Sequence, residues 1–305
     1  MKRVLVIDGG GMKGIIPAFV VEAIESKEGR SCYNIFDLIC GTSTGSVIGG
    51  VLAAGVHGDI IRKLYCETVP KLFTPRNRFN PLTWNKPEKY DRQPFIDEID
   101  RRINCCKFSD CKTLFLTTAF NLCSNRTHFL HSDDPTENYY GLSSVISWSA
   151  LSAALYFGKI CVADYPWKHF TPAGEVVKKV GAVFHDGGQG TQNSPVTAAI
   201  IEAIGRWPGE EIEILSIGCG DQDIIVDYEK ARKTTFVRQI ASFFGQARTE
   251  SSVVQHIGAG VLDKYWTKFH FRRMNATIAK NQDALDGKKY VKDYIDIGRR
   301  LARTY

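Results

Sequence analysis

Gly41-Thr42-Ser43-Thr44-Gly45 stands directly after the apolar stretch Ile35-Phe36-Asp37-Leu38-Ile39-Cys40 and opens into a helical pattern. A Gly-x-Ser-x-Gly turn between strand and helix pushes its serine out at a strained corner, with the hydroxyl exposed. Asp8-Gly9-Gly10-Gly11-Met12-Lys13-Gly14 repeats that arrangement after Val4-Leu5-Val6-Ile7. A glycine-rich turn at a strand end offers backbone N–H groups to an anion. A third turn, Asp186-Gly187-Gly188, follows Val180-Gly181-Ala182-Val183-Phe184-His185 and leaves an aspartate at a strand end. In a parallel sheet the strand C-termini gather on one edge, so Asp186 can meet Ser43 there and accept its proton. A nucleophile, a base and an oxyanion pocket are the parts that acyl transfer needs.

Each motif also has a blander reading. Ser43 or Thr44 can simply cap the following helix. The strand just before the turn and the apolar helix Val47-Ile48-Gly49-Gly50-Val51-Leu52 after it favour the elbow. Gly9-x-Gly11-x-x-Gly14 fits the dinucleotide fingerprint, which keeps a nucleotide-binding oxidoreductase in view. Against it, Asp8 would face an incoming pyrophosphate, and three consecutive glycines leave no wall for a nucleotide. The acidic residue expected about 20 positions later, at a second strand's end, is missing. None of His57, His128, His131, His169, His185, His256 and His270 lies in a recognisable catalytic motif. His185 adjoins Asp186, but neighbours on a strand point to opposite faces, which makes it a core or supporting residue. Cys40 reads as a small buried hydrophobe.

To bring three turns to one edge, strands must alternate with helices. Candidate strands are Arg3–Ile7, Leu38–Cys40, Leu114–Phe120, Thr127–His131, Lys159–Val162, Ala182–His185 and Ile212–Ser216. Candidate helices are Gly14–Ser26, Thr44–Ala54, Gly58–Val69, Gln93–Ile103, Ser143–Leu155, Ser194–Ile204 and Asp227–Phe244. The alternation predicts an α/β fold, a three-layer sandwich with a mostly parallel central sheet. Residues 227–305 read as mainly helical and packed on the same core, and no linker interrupts the chain, so 1–305 reads as a single domain. Pro70 to Pro94 breaks the rhythm. It carries five prolines among Phe73, Phe79, Trp84 and Tyr90, with Lys71, Arg76, Arg78, Lys86, Lys89 and Arg92 interleaved. This density of proline predicts neither a regular helix nor an interior strand. The stretch is either an irregular crossover packed on the core or a rim that meets a membrane surface.

Of the 305 residues, 44% are hydrophobic and 24% charged, which excludes a disordered chain. No apolar run approaches the roughly 20 residues of a spanning helix. Met1-Lys2-Arg3 precedes only four apolar residues, too few for a secretion signal. The nine cysteines show no CxxC and no zinc spacing. That pattern predicts reduced thiols, a cytoplasmic protein and no metal or cofactor. The net charge of +6 would favour an anionic surface such as a bilayer, and no nucleic-acid-binding motif supports the alternative polyanion.

Taken in order, the three turns resemble those of the patatin-like phospholipases. Two weaker matches accompany them: Ser152-Ala153-Ala154-Leu155-Tyr156-Phe157, and the strand-to-loop turn Ser216-Ile217-Gly218-Cys219-Gly220. The resemblance covers roughly residues 3 to 220. It implies a dyad of Ser43 and Asp186, with an oxyanion hole formed by the amides of Gly9, Gly10 and Gly11 together with Met12. It further implies a phospholipid or other acyl-lipid substrate, release of fatty acid and lysolipid, calcium independence and peripheral membrane contact. Lys13 departs from the arginine of many relatives, keeping the charge and losing the planar fork. Proline is absent after Ser152-Ala153-Ala154, and the run from Gln189 to Pro195 is longer than usual. The rival within this resemblance is a catalytically silent binding or regulatory protein of the same shape, against which the intact Ser43 and Asp186 count.

Overall fold

Val4, Leu5, Val6 and Ile7 are all wholly buried, the mark of a strand covered on both faces. The computed structural model describes residues 1–75, 88–154, 156–171, 173–222, 232 and 236–305. Its eight strands form one sheet. In chain order they are β1 (Lys2–Ile7), β2 (Leu38–Gly41), β3 (Leu114–Asn121), β4 (Arg126–His131), β5 (Ile160–Phe170), β6 (Val176–Asp186), β7 (Ile212–Ile217) and β8 (Phe269–Met274). The spatial order is β5-β6-β3-β2-β1-β7-β8, with β4 also paired to β3.

Side-chain alternation along β1 separates two apolar layers. Leu5 and Ile7 face a cluster that holds α1 (Ile15–Glu28), α3 (Thr44–Ala53), α6 (Gln93–Ile103), α7 (Leu142–Ala150) and α10 (Val291–Ala302). Val4 and Val6 face a smaller one, with Val196, Ala199 and Ala203 of α8 (Val196–Arg206) and Ala259 of α9 (Phe236–Tyr265). Helix, sheet, helix is the three-layer sandwich that the alternation predicts. The short helices α2 (Cys32–Ile35), α4 (Gly58–Lys63) and α5 (Val69–Leu72) complete the larger layer.

The sheet is parallel only across its centre, β3-β2-β1-β7-β8. β4 and β6 both run antiparallel to β3, and β5 runs antiparallel to β6. The links explain two of these reversals. β3 and β4 are joined through a turn with Asn125 at φ 53°, and β5 and β6 through one with Gly174 at φ 85°. Such hairpins are too short for a parallel crossover. In the C-terminal third, the edge strand β8 interrupts the helices expected there and pairs with β7. The helix expected over Asp227–Phe244 lies partly outside the described residues; α9 itself runs on to Tyr265. No helix among the described residues is long and apolar enough to cross a membrane, and all nine cysteines are free.

Candidate active site

β2 ends at Gly41, and α3 begins at Thr44. A Cβ on Gly41 would run into the carbonyl of Gly45, and one on Gly45 into the carbonyl of Ile7 at the end of β1. Only glycine at both positions lets the chain reverse this tightly against its neighbour strand. Ser43, between them, is held at φ 54° and ψ −122°, a conformation that costs a non-glycine residue about 1–3 kcal/mol. Its hydroxyl makes no capping bond to α3. Instead it donates to Asp186 Oδ2 at 2.7 Å. The Ser43 amide donates to Ser149 Oγ on α7 at 3.0 Å, which fixes the corner from the other side.

Asp186 is the last residue of β6 and sits opposite Ala119 of β3. Its Oδ1 accepts the Gly188 N–H at 2.8 Å, so one carboxylate oxygen is anchored and the other faces the serine. Both partners are nearly enclosed, at 8% and 9% exposure. His185 sits opposite Phe120, and its ring engages Gln189. Burial pushes its pKa below the ordinary histidine value, and its Nδ1 is enclosed without a partner. The pair can pass a proton from hydroxyl to carboxylate with no imidazole between them.

Four amides of the glycine loop were the candidate anion donors, and two of them are already engaged. Gly9 N–H donates to the Asn193 carbonyl at 2.9 Å, and Met12 N–H to the Leu285 carbonyl at 2.7 Å. Among the described residues the amides of Gly10 and Gly11 have no acceptor. Gly11 lies at φ 59° with its α-carbon against the Leu285 backbone, and Gly10 packs on Cys219. Asp8 does not face that side as a free charge: it is buried, and its Oδ2 bonds Arg273 of β8 at 2.5 Å. Arg273 also donates to Ser216 Oγ at 2.7 Å, tying β1, β7 and β8 together beneath the loop. Lys13 is paired with Asp283.

Removing one partner of a buried ion pair strands the other charge, typically at 3–5 kcal/mol. Arg273→Met is therefore expected to destabilise the fold by about 3–5 kcal/mol in urea unfolding. Asp8→Asn combined with Arg273→Met should recover a large part of that loss. A loss below about 1 kcal/mol in the single variant would show that water, rather than the ion pair, satisfies Asp8.

The patatin-like phospholipase family's sequence profile matches residues 5–200. The chain belongs to this family. An Escherichia coli protein named cUMP-AMP-activated phospholipase is 44% identical over 75 residues, 25% of this chain and 23% of that protein. A Pseudomonas aeruginosa protein named cGAMP-activated phospholipase is 30% identical over 129 residues, 42% of this chain and 38% of that protein. The alignments thus span less than half the length of either relative. The crystal structure of VipD from Legionella pneumophila aligns with a TM-score of 0.45 at 13% identity, covering 99% of this chain and 67% of that one.

Beside Ser43 this patatin-like chain encloses an apolar cavity of about 60 Å³. Val47, Leu64, Leu72, Phe95, Tyr156 and Phe157 line it. The rings of Phe73, Tyr90, Phe95 and Phe157 pack edge-on or tilted around it, with Phe73 5.0 Å from Tyr90 and 5.1 Å from Phe95. Glu98 reaches the lining too, but its carboxylate is bound by Arg101 and Arg102 on its own helix. The described ends of the Pro70–Pro94 stretch belong to this packing. Pro70 opens α5, Phe73 and Tyr90 are buried, Lys89 pairs with Asp286, and Arg92 donates to the Phe157 carbonyl. Arg76, Arg78, Phe79, Trp84 and Lys86 lie outside the described residues.

Three contributors to this site carry no motif. Ser149 sits on an ordinary apolar helix. Leu285 acts through its backbone, which no residue type announces. Arg273 offered one signal, a charged pair inside the short apolar run Phe269–Met274, which reads as a surface strand until its partner Asp8 is known.

Proposed function

We propose that this chain is a lipid acyl hydrolase of the phospholipase A type, with Ser43 as nucleophile and Asp186 as base. The observation that carries this reading is the 2.7 Å hydrogen bond from Ser43 Oγ to Asp186 Oδ2 at a strained, nearly enclosed corner. The apolar cavity beside it can receive the first carbons of an acyl chain, and membership of the family supports the substrate class. Ser43 Oγ attacks the acyl carbonyl carbon as its proton passes to Asp186. The negative oxygen of the tetrahedral intermediate is held by the amides of Gly10 and Gly11, the two of the four candidates that remain free. Collapse expels the lysolipid oxygen, which takes the proton from Asp186. Water, deprotonated by Asp186, then attacks the acyl-enzyme carbonyl; collapse breaks the Ser43 Oγ–acyl bond, Ser43 Oγ takes the proton back from Asp186, and the fatty acid leaves. Asp186 performs both proton transfers that a triad would give to histidine.

The test is incubation of the full chain with mixed phospholipid vesicles, followed by mass spectrometry of the products. The names of the two bacterial relatives include activation by cUMP-AMP and by cGAMP, so the assay runs with and without each nucleotide. Fatty acid and lysolipid are the expected products. Vesicle binding without any product under all conditions would favour the silent binding protein instead.

Gly10→Ala tests the loop. The new methyl would run into Cys219 and shift the Gly10 and Gly11 amides. Losing one oxyanion donor costs roughly 2.7–4 kcal/mol, or about 10²–10³ in kcat. Turnover counted per folded molecule should fall by that factor. A variant that melts earlier yet turns over normally per folded molecule would make the loop purely structural.

A further inference from the structure

α9 carries an apolar face that no described residue of the chain covers. Val253, Val254, Ile257, Val261 and Tyr265 are all exposed, Ile257 to 62% and Tyr265 to 74%. At 100° per residue they fall on one side of the helix, whereas the buried Ala259 faces the sheet. The exposed Thr197 of α8 donates its N–H to Gln255 Oε1 of α9 at 3.2 Å, and Ile201, one turn further on, is 66% exposed. Gly258 and Gly260 have open space above their α-carbons, so another helix can approach the α9 backbone closely.

We propose that this face pairs with α9 of a second copy of the chain, antiparallel, about a twofold axis through Ile257. The proposal is independent of the catalytic reading. A twofold contact must be self-complementary, and this stripe is. With the axis at Ile257, Val253 of one copy lies opposite Val261 of the other, and Val254 opposite Gly260. Glu250 then lies opposite Lys264. These two residues share the apolar side of the helix, are exposed and have no ion-pair partner among the described residues of one copy. A parallel pair would set Glu250 against Glu250 and Lys264 against Lys264. A bilayer would have to take in Glu250, which shares the apolar side of the helix, whereas a second copy offers it Lys264. From Val253 to Tyr265 the stripe runs a little over three turns, about 18 Å at 1.5 Å per residue. One helix of that length covers less than the ~800 Å² per partner of a standard interface, so the dimer should form in a concentration-dependent way.

Sedimentation velocity on the full chain, from about 1 to about 100 µM, tests this. The wild type should pass from monomer to dimer. Ile257→Glu should stay monomeric throughout with an unchanged melting temperature, because the position is solvent-exposed in one copy. Lys264→Glu should raise Kd about 10-fold, since the symmetry counts each altered pair twice. The swap Glu250→Lys with Lys264→Glu should restore the wild-type Kd. A wild type that remains monomeric at every concentration overturns the proposal, as does a dimer indifferent to Ile257→Glu. A charge reversal without effect, or a swap that fails to restore association, overturns the antiparallel register on which it stands. Binding of the monomer to phosphatidylglycerol vesicles that Ile257→Glu abolishes would assign the face to a bilayer.

Discussion

Ser43→Ala is expected to reduce ester hydrolysis by about 10⁴-fold or more, the scale on which nucleophile removal acts in serine hydrolases. The loss should be in kcat, with binding to vesicles unchanged, because the apolar cavity and the glycine loop are untouched. A fluorophosphonate should label the wild type at Ser43 and leave the alanine variant unlabelled. The backbone supplies a second, independent readout. Alanine keeps the Cβ and hence the strain of φ 54°, ψ −122°, whereas glycine relieves strain of about 1–3 kcal/mol against an entropic cost of roughly 0.5–1 kcal/mol. Ser43→Gly should therefore be as inactive as Ser43→Ala and more stable than it by up to about 2 kcal/mol in urea unfolding. Activity that survives in both variants, or labelling at another serine, would move the nucleophile elsewhere. A glycine variant less stable than the alanine one would mean that the elbow is not strained as drawn.

The elbow, the glycine loop and the Asp186 turn were legible in the sequence because each is a local event. A strand ends, glycines sit where a Cβ would strike a neighbouring carbonyl, and a helix or turn begins. The fold class followed from the same strand–helix rhythm, and the separation of Leu5 and Ile7 from Val4 and Val6 bears out the three layers. What stayed illegible depends on contacts between distant residues. Asp8 finds its counter-charge 265 positions later, at Arg273. The Met12 amide is taken by a carbonyl of the C-terminal third, so counting glycines overstated the free donors. The antiparallel pairing of β6 with β3 has no local signature either, because it arises from which edge of β3 lies open beyond β2. The Pro70–Pro94 stretch showed its composition plainly, yet composition does not distinguish aromatics that face lipid from aromatics that face Phe157.

On the proposed reading, these long-range contacts give the C-terminal third a job. Arg273, Asp283 and Leu285 each grip a different residue of the glycine loop: Asp8, Lys13 and Met12. A flexible glycine run makes a good oxyanion hole only if its amides are fixed before charge develops. The turn after β7 adds to this, with Cys219 packed on Gly10 and its thiol donating to the Asp8 carbonyl at 3.3 Å. The conformational freedom that glycine brings is thus removed by partners from outside the motif.

Asp186→Asn should lower kcat by about 10²–10⁴-fold, the usual effect of losing a general base. The change is nearly isosteric. An asparagine Oδ1 can still accept the Gly188 N–H, and its Nδ2 would then face Ser43 Oγ, converting the serine oxygen from donor to acceptor. Position is kept while the path for the proton is lost, so the fluorophosphonate labelling rate should fall together with kcat and the melting temperature should barely move. His185→Ala is the control. Its ring engages Gln189 and contributes nothing to the Ser43–Asp186 bond, so it should leave turnover near the wild-type value. The reverse result, full turnover in Asp186→Asn and none in His185→Ala, would replace the dyad with a histidine-based mechanism. Loss in both variants would point to damage of the β6 end rather than of a base. In that case the melting temperature should fall in both, which the dyad does not allow for Asp186→Asn.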